Sequence, residues 1–482
     1  MKYQPASLAN SLPAKDIASL IHPQSNLRLF SESGPRLMVK GEGIYVTDDA
    51  GVRFLDGLSG LWCASLGFGV ERLAKVAYEA IRNIGYYQIY GENSHEPAIE
   101  LATALLRLAP VPMSKVLFQC SGSEANDTAV KLVWYYWNAV DQPKRRKIVS
   151  RKTSYHGSTC VSASLSGKPD MHDPFGLPLS NFIYTESPDY FLHHQAGETE
   201  VEFSARMARS LEQLILDEGP ETIAAFWAEP ILAGGGALLP PQGYFDHIQR
   251  VLKKYDILFV ADEVICGFGR TGEYWGSQTF GLKPDMVTCA KALSAGLQPV
   301  SAILMNERIY QGMLIQSDRF GNFTHGYTYA GHPVTTAVAL ETLKIYEEMN
   351  VVEHVKALER GFLDGLERLE EKPMIANVRG AGLICGLGIV KDRETREVFP
   401  PEIGIQKRLD RNARNHGLII RLIGNRIALA PPLIIKQEEV AELVRRLASA
   451  IDDTLDEIRL EHGSALGGDF RKVFPAGPQR AR

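Results

Sequence analysis

The chain has 482 residues, 45% hydrophobic and 23% charged, with a formal net charge of −5. That length predicts two or three domains with ample core. The slight acidity, without a long basic run, argues against nucleic-acid binding, and no stretch approaches the ~20 apolar residues that a bilayer-crossing helix needs.

The N-terminus shows no basic-then-apolar signal segment, so a cytoplasmic protein is expected. Residues 1–35 read as polar and irregular, because Asn10, Pro13 and Pro23 break any long helix. Residues 36–60 alternate short apolar runs with turn residues, as in Gly43-Ile-Tyr-Val-Thr47 followed by Asp48-Asp-Ala-Gly51. This predicts a small antiparallel ribbon. Trp62 follows, in Gly60-Leu-Trp62-Cys63, and by itself reads as a core plug.

From residue 71 the pattern becomes strand–helix alternation. Helical periodicity covers 71–83, 95–109 and 124–140, and apolar strands fall near 115–120, 147–150, 222–228, 257–261 and 285–289. Continuous apolar strands between helices predict a mostly parallel sheet covered on both faces, hence an α/β fold. From 376 onward, glycine-rich strands (380–390, 417–430) mix with helices (402–415, 437–460), which predicts a smaller α+β domain. The expected division is an N-terminal segment 1–70 joining the small domain, a large domain 71–344, a C-terminal small domain 345–462, and a loosely held tail 463–482. The six cysteines (63, 120, 160, 266, 289, 385) form no CxxC or zinc-like spacing, so reduced thiols and no metal are expected.

Chemistry-bearing residues follow several of these strands. Lys291 comes just after the apolar run Met286-Val-Thr-Cys289. Desolvating an ammonium is costly, so this lysine is either paired with an acid or an amine ready to form an imine. Asp262 ends another strand and needs a partner there, either an arginine or a protonated ring nitrogen. Ser121-Gly122-Ser123-Glu124 opens a helix. Backbone N–H groups and hydroxyls at that place suit a phosphate, although Ser121 and Glu124 also fit a plain capping box. Tyr155-His156-Gly157 offers an aromatic that could cover a flat ligand or form a surface turn. Glu229 ends a further strand, where α/β sites gather, or is a solvated acid. Gly267-Phe-Gly-Arg-Thr-Gly272 matches G-x-G-x-x-G, but it neither follows a strand directly nor opens a helix, so a nicotinamide dehydrogenase is rejected. A phosphate cradle, a ring-covering aromatic, an acid for a ring nitrogen and an imine-forming lysine are the parts of a pyridoxal phosphate site.

The spacing of these motifs resembles the class III aminotransferases of the fold-type I pyridoxal phosphate enzymes, from about Pro23 to residue 460. Ser121-Gly-Ser-Glu-Ala-Asn126 is similar to that family's phosphate-binding stretch, which implies cofactor contacts from Gly122 and Ser123. The resemblance implies that Tyr155, with His156, stacks on the cofactor ring, that Asp262 binds its nitrogen, that Val264 backs it, and that Lys291 carries it. Thr328, in His325-Gly-Tyr-Thr328, is implied to reach the phosphate of a neighbouring subunit, which makes the protein a homodimer with shared sites, or a tetramer.

Within the family the chain is most similar to ω-transaminases that pair amines with pyruvate. Trp62 matches their pocket tryptophan, and Arg421, in Gly417-Leu-Ile-Ile-Arg421, matches a mobile arginine that binds the acceptor carboxylate. Tyr90 and the glycines 234–236 are further pocket candidates. Members acting on 4-aminobutyrate or ornithine usually carry an arginine where this chain has Ala428, but Arg426 lies two residues earlier and keeps that alternative open. A family aminomutase, racemase or decarboxylase, or a binding protein on the same scaffold, are the other readings.

Overall fold

The computed structural model describes residues 10–462. Its centre is a seven-stranded sheet. The spatial order is Lys115–Gln119, Ser301–Met305, Met286–Cys289, Leu258–Asp262, Ile223–Ala228, Lys147–Arg151 and Phe182–Thr185. Ser301–Met305 runs antiparallel to both neighbours, and the remaining pairs are parallel. The sequence expectation of strand–helix alternation missed this strand and Phe182–Thr185. A fully buried apolar run such as Ser301–Met305 does not encode its direction.

The central strands are buried throughout, and their residues alternate between two helical layers. Trp227 and Val260 pack toward the helix Gly122–Ala139, while Phe226, Ala228, Phe259 and Ala261 pack toward Glu200–Glu218 and Tyr244–Lys254. The same period of two places Asp262 on the side of Leu258 and Val260, facing the first of those helices.

Strands Met38–Glu42, Tyr45–Asp48 and Arg53–Asp56 form the expected antiparallel ribbon. The strand Leu418–Ile419 joins it in parallel, with Leu55 beside Leu418. A further antiparallel sheet runs Ile375–Ala381, Ile384–Ile389, Arg426–Leu429, Arg421–Ile423. Its apolar residues pack with those of the helices Val351–Glu367, Ile405–Asn415 and Gln437–His462.

The region expected to be irregular before residue 36 holds two short helices, Leu12–Ser19 and Leu27–Ser33. Ser11 and Asn26 cap them by accepting backbone N–H groups. Residues 267–272 form turns, and only a one-turn helix, Gly276–Thr279, follows. The expectation for the tail, 463–482, lies outside the described residues.

Candidate active site

The C-terminal ends of the parallel strands meet at a cavity of about 190 Å³. Gly122, Ser123, Tyr155, His156, Glu229, Asp262, Val264 and Lys291 all line it. The antiparallel strand contributes too, because its first residue lies at this end: Ser301 Oγ donates to the Ser121 carbonyl at 2.8 Å.

At one end stands Asp262, buried and accepting three hydrogen bonds. Asn126 Nδ2 (2.8 Å) and His156 Nδ1–H (2.7 Å) donate to Oδ2, and the Val264 N–H (3.1 Å) donates to Oδ1. Two lone-pair sites on Oδ2 are thereby filled, and one remains on Oδ1. Asn126 is itself fully engaged. Its Oδ1 accepts from Trp227 Nε1 (3.2 Å) and Thr288 Oγ1 (3.0 Å), and its Nδ2 also donates to the His156 carbonyl (2.7 Å). An indole N–H only donates, so the amide can face only one way. Behind His156 lies Glu229, with Oε2 at 3.6 Å from His156 Nε2. Fully buried Arg151 donates to Glu229 Oε2 (2.8 Å) and to its carbonyl (2.6 Å), and Glu229 Oε1 accepts the Tyr155 N–H (3.1 Å). Glu229 therefore positions the Tyr155 backbone, stands beside His156 without a hydrogen bond to it, and is not a solvated acid.

Lys291 opens the one-turn segment after its strand and adopts φ +50°, a left-handed backbone that costs a non-glycine residue free energy and clusters at functional sites. Its ammonium makes neither hydrogen bond nor ion pair among the described residues. Burial lowers its pKa, opposed in part by Cys63, Asp262 and Glu229. The segment is pinned from behind by Tyr346, whose hydroxyl donates to the Ala292 carbonyl at 2.6 Å.

The third wall is the N-terminus of the Gly122–Ala139 helix. Ser121 is its cap: Oγ accepts the Glu124 N–H (3.2 Å), while Glu124 Oε2 accepts the Cys120 N–H (2.8 Å). The capping reading thus holds for Ser121, which does not line the cavity, whereas Gly122 and Ser123 do. A Cβ on Gly122 would stand 3.1 Å from Val264 Cγ1. One on Gly157, at φ +139°, would stand 2.5 Å from Ser123 Oγ. Glycine at both places lets the segments that line the cavity pack against one another.

Besides Ser121, the expected residues Trp62, Arg421, Tyr90 and Thr328 lie outside this cavity. Trp62, at φ +65°, is 7% exposed in an apolar cluster with Leu58, Ile231 and Ala428. Ile265 packs on that cluster and also lines the cavity, so the cluster adjoins the cavity. Arg421 is exposed and has no carboxylate partner among the described residues. Tyr90 and Thr328 lie together on an exposed patch. A Cβ on Gly326 would stand 2.8 Å from the Tyr90 ring, and the Thr328 carbonyl accepts from Tyr86 OH at 2.8 Å. The structure does not bring these two to the cavity of their own chain.

Comparison with known proteins adds the family. The description "Aminotransferase class-III" matches residues 31–451. The chain belongs to the class III aminotransferases. It is 44% identical to gamma aminobutyrate transaminase 3, chloroplastic, of Solanum lycopersicum, over 94% of this chain and 88% of that protein. It is 45% identical to vanillin aminotransferase of Capsicum chinense, over 88% and 93%. A solved omega transaminase from Pseudomonas jessenii, in complex with PMP, superposes with a TM-score of 0.92 at 46% identity, covering 93% of this chain and 99% of that one.

As a class III aminotransferase the protein uses pyridoxal phosphate, and its residues fit that group. The unpaired amine of Lys291 and the free lone pair on Asp262 Oδ1 border the same cavity, with a helix N-terminus beside them. When bound, the cofactor supplies an electron sink for the carbon that loses a proton. Gly122 and Ser123 would hold its phosphate, Asp262 would face its ring nitrogen and keep positive charge there, and Val264 and Tyr155 would bracket its ring. Lys291 would be the group able to take a proton and return it.

Three residues of the aminotransferase were not singled out from sequence. Asn126 orients Asp262. Arg151 orients Glu229. Arg270, inside the rejected glycine pattern, is buried and donates to the carbonyls of Leu383 (2.9 Å) and Pro431 (2.6 Å) and to Ser59 Oγ (3.3 Å). It ties the loop that carries Trp62 to the C-terminal strands. The signal available in sequence was an arginine among glycines, which permits burial without naming its partners.

Proposed function

We propose that the protein is an ω-aminotransferase moving an amino group from a primary amine to pyruvate, in two half-reactions at one site. The observation that carries this is the contrast between two arginines. Arg426 is buried and bound to both carboxylate oxygens of Asp189, at 2.9 and 3.1 Å. Arg421 is exposed and has no carboxylate. It stands opposite Ala428, and directly opposed residues of an antiparallel pair share a face. That face abuts the glycine turn at 234–236, since a Cβ on Gly386, also opposite Ala428, would stand 2.4 Å from the Gly236 carbonyl. Arg421 is thus the guanidinium left for an incoming carboxylate. A second reading, with 4-aminobutyrate as donor, is favoured by the names of the plant relatives.

The purified holoenzyme's visible absorption decides between them. The cofactor band is expected to bleach with an arylalkyl amine, a diamine or an ω-amino acid, and to return with pyruvate. Recovery with another oxo acid but not with pyruvate would overturn the acceptor assignment. A band that never bleaches would favour an aminomutase or decarboxylase.

We further read the protein as a homodimer. Tyr86, Tyr90 and Tyr329 are exposed, and this aromatic patch includes the segment of Thr328. A second copy on that patch would be served by Thr328 and Tyr90 from its neighbour. Size-exclusion chromatography is expected to show a dimer or tetramer, and a monomer at micromolar concentration would refute shared sites. The domain division at 70 and 345 has the same standing, supported by the pairing of Leu418–Ile419 with the N-terminal ribbon. No helix among the described residues is long and apolar enough to cross a membrane. All six cysteines are free thiols, which suits a cytoplasmic setting.

A further inference from the structure

Beside the site lies a second cavity, about 260 Å³, between the Tyr155 loop, the glycine turn and the C-terminal strands. Its walls are largely apolar, with Phe191, Leu238, Ile389 and Ile423 among them. Two long cationic side chains line it, those of Arg426 and Lys168. Arg426 is occupied by Asp189. The Lys168 ammonium makes neither hydrogen bond nor ion pair among the described residues, although the residue is partly buried.

The position of Lys168 is fixed by its neighbour. Gly167 donates to Ser154 Oγ (3.1 Å), and its carbonyl accepts the Thr153 N–H (2.7 Å). A Cβ there would stand 2.1 Å from the Arg151 carbonyl, so only glycine lets the two segments touch. Lys168 is thereby held against the loop that carries Tyr155.

Arg421 does not line this cavity but lies on the sheet face that borders it. Ile423 and Arg426 oppose each other and both line the cavity, and Arg421 lies two residues from Ile423 on the same strand face. The two cations also feel each other. Burial lowers the pKa of the Lys168 ammonium and the charge of Arg421 lowers it further, with Asp170 and Glu229 opposing. A partly desolvated cation with no counter-ion, next to a second cation, is a costly arrangement in the free enzyme. A carboxylate placed between them relieves both costs.

We propose that Lys168 is the second, fixed cation of the acceptor subsite and that it clamps the oxo-acid carboxylate together with the mobile Arg421. This rests on the reading of the acceptor as an oxo acid. It gives the subsite a reason to prefer carboxylates that Arg421 alone, exposed to water, supplies only weakly.

The test compares KM for pyruvate with KM for an uncharged aldehyde acceptor, using one amine donor and the holoenzyme. Lys168→Met is expected to raise the ratio of the two roughly tenfold, as for loss of one charge-assisted hydrogen bond, and Lys168→Arg to bring it back to within about threefold of wild type. Arg421→Ala is expected to raise the ratio by a similar factor. A lysine that only supported the fold would move both KM values together. Lys168→Gln serves where the methionine variant misfolds. If Lys168→Met leaves the ratio unchanged while Arg421→Ala raises it, the inference fails and the acceptor reading stands. If Lys168→Met alone raises it, the pairing of the two cations is wrong. If neither variant moves it, the carboxylate is held elsewhere and both readings fail.

Discussion

Lys291→Ala is expected to lower kcat for amino-group transfer by about 10⁴-fold, the upper end of what one positioned proton-transfer group supplies. The structure gives this lysine two properties that no neighbour can replace. Its amine borders the cavity and has no ion pair or hydrogen bond to a protein side chain among the described residues, so no such contact competes with its chemistry. Its ammonium is also destabilised by burial, so the neutral amine persists to lower pH than on a surface lysine. Only the neutral amine can accept a proton. The sign follows: with a depressed pKa, the rate of the amine half-reaction falls as pH drops through that lowered value, not at the usual lysine pKa. Lys291→Arg should fail as well, because a guanidinium stays protonated. The check is a single-turnover measurement with amine and reconstituted variant across pH. Near-wild-type turnover by Lys291→Ala would sink the assignment, since no second amine is found among the residues lining this cavity.

Much of this site could be read from the chain because the α/β pattern announces where strands end. Lys291, Asp262, Glu229 and Gly122 each follow an apolar run, and the structure gathers them at one cavity. What the sequence could not show is what holds them. Asn126 stood within a recognised motif, yet its partners Trp227 and Thr288 are 101 and 162 residues away. Arg151 ends a strand and carries a charge, so its sequence suggests exposure. Its burial makes sense only once Glu229 is placed against it. Thr328 was legible through the family resemblance and Tyr90 as a pocket candidate, yet both lie away from the cavity of their own chain, and a sequence does not say which surfaces a second copy covers. The direction of Ser301–Met305 was hidden for a simpler reason, because an apolar run reads the same both ways.

Asp262→Asn is expected to retain the cofactor and lose roughly 10³-fold in kcat, within the range for a preorganised electrostatic or proton-transfer group. The geometry says why so small a change matters. Oδ2 accepts from two fixed donors, Asn126 Nδ2 and His156 Nδ1–H. An asparagine must therefore keep its carbonyl oxygen there and turn its NH₂ to the place of Oδ1, facing the Val264 N–H and the cavity. An acceptor toward the ring nitrogen becomes a donor, and the negative charge that holds a proton on that nitrogen is lost. The helix N-terminus that would serve the phosphate lies on another wall and keeps its cap through Ser121 and Glu124. Cofactor content, read by absorbance after dialysis, should therefore stay within about twofold of wild type while proton transfer slows. Loss of cofactor in parallel with activity would mean that Asp262 acts mainly in binding. A fully active variant would show that the ring nitrogen has another partner, and the Asn126–His156 network would then need a different reason to exist.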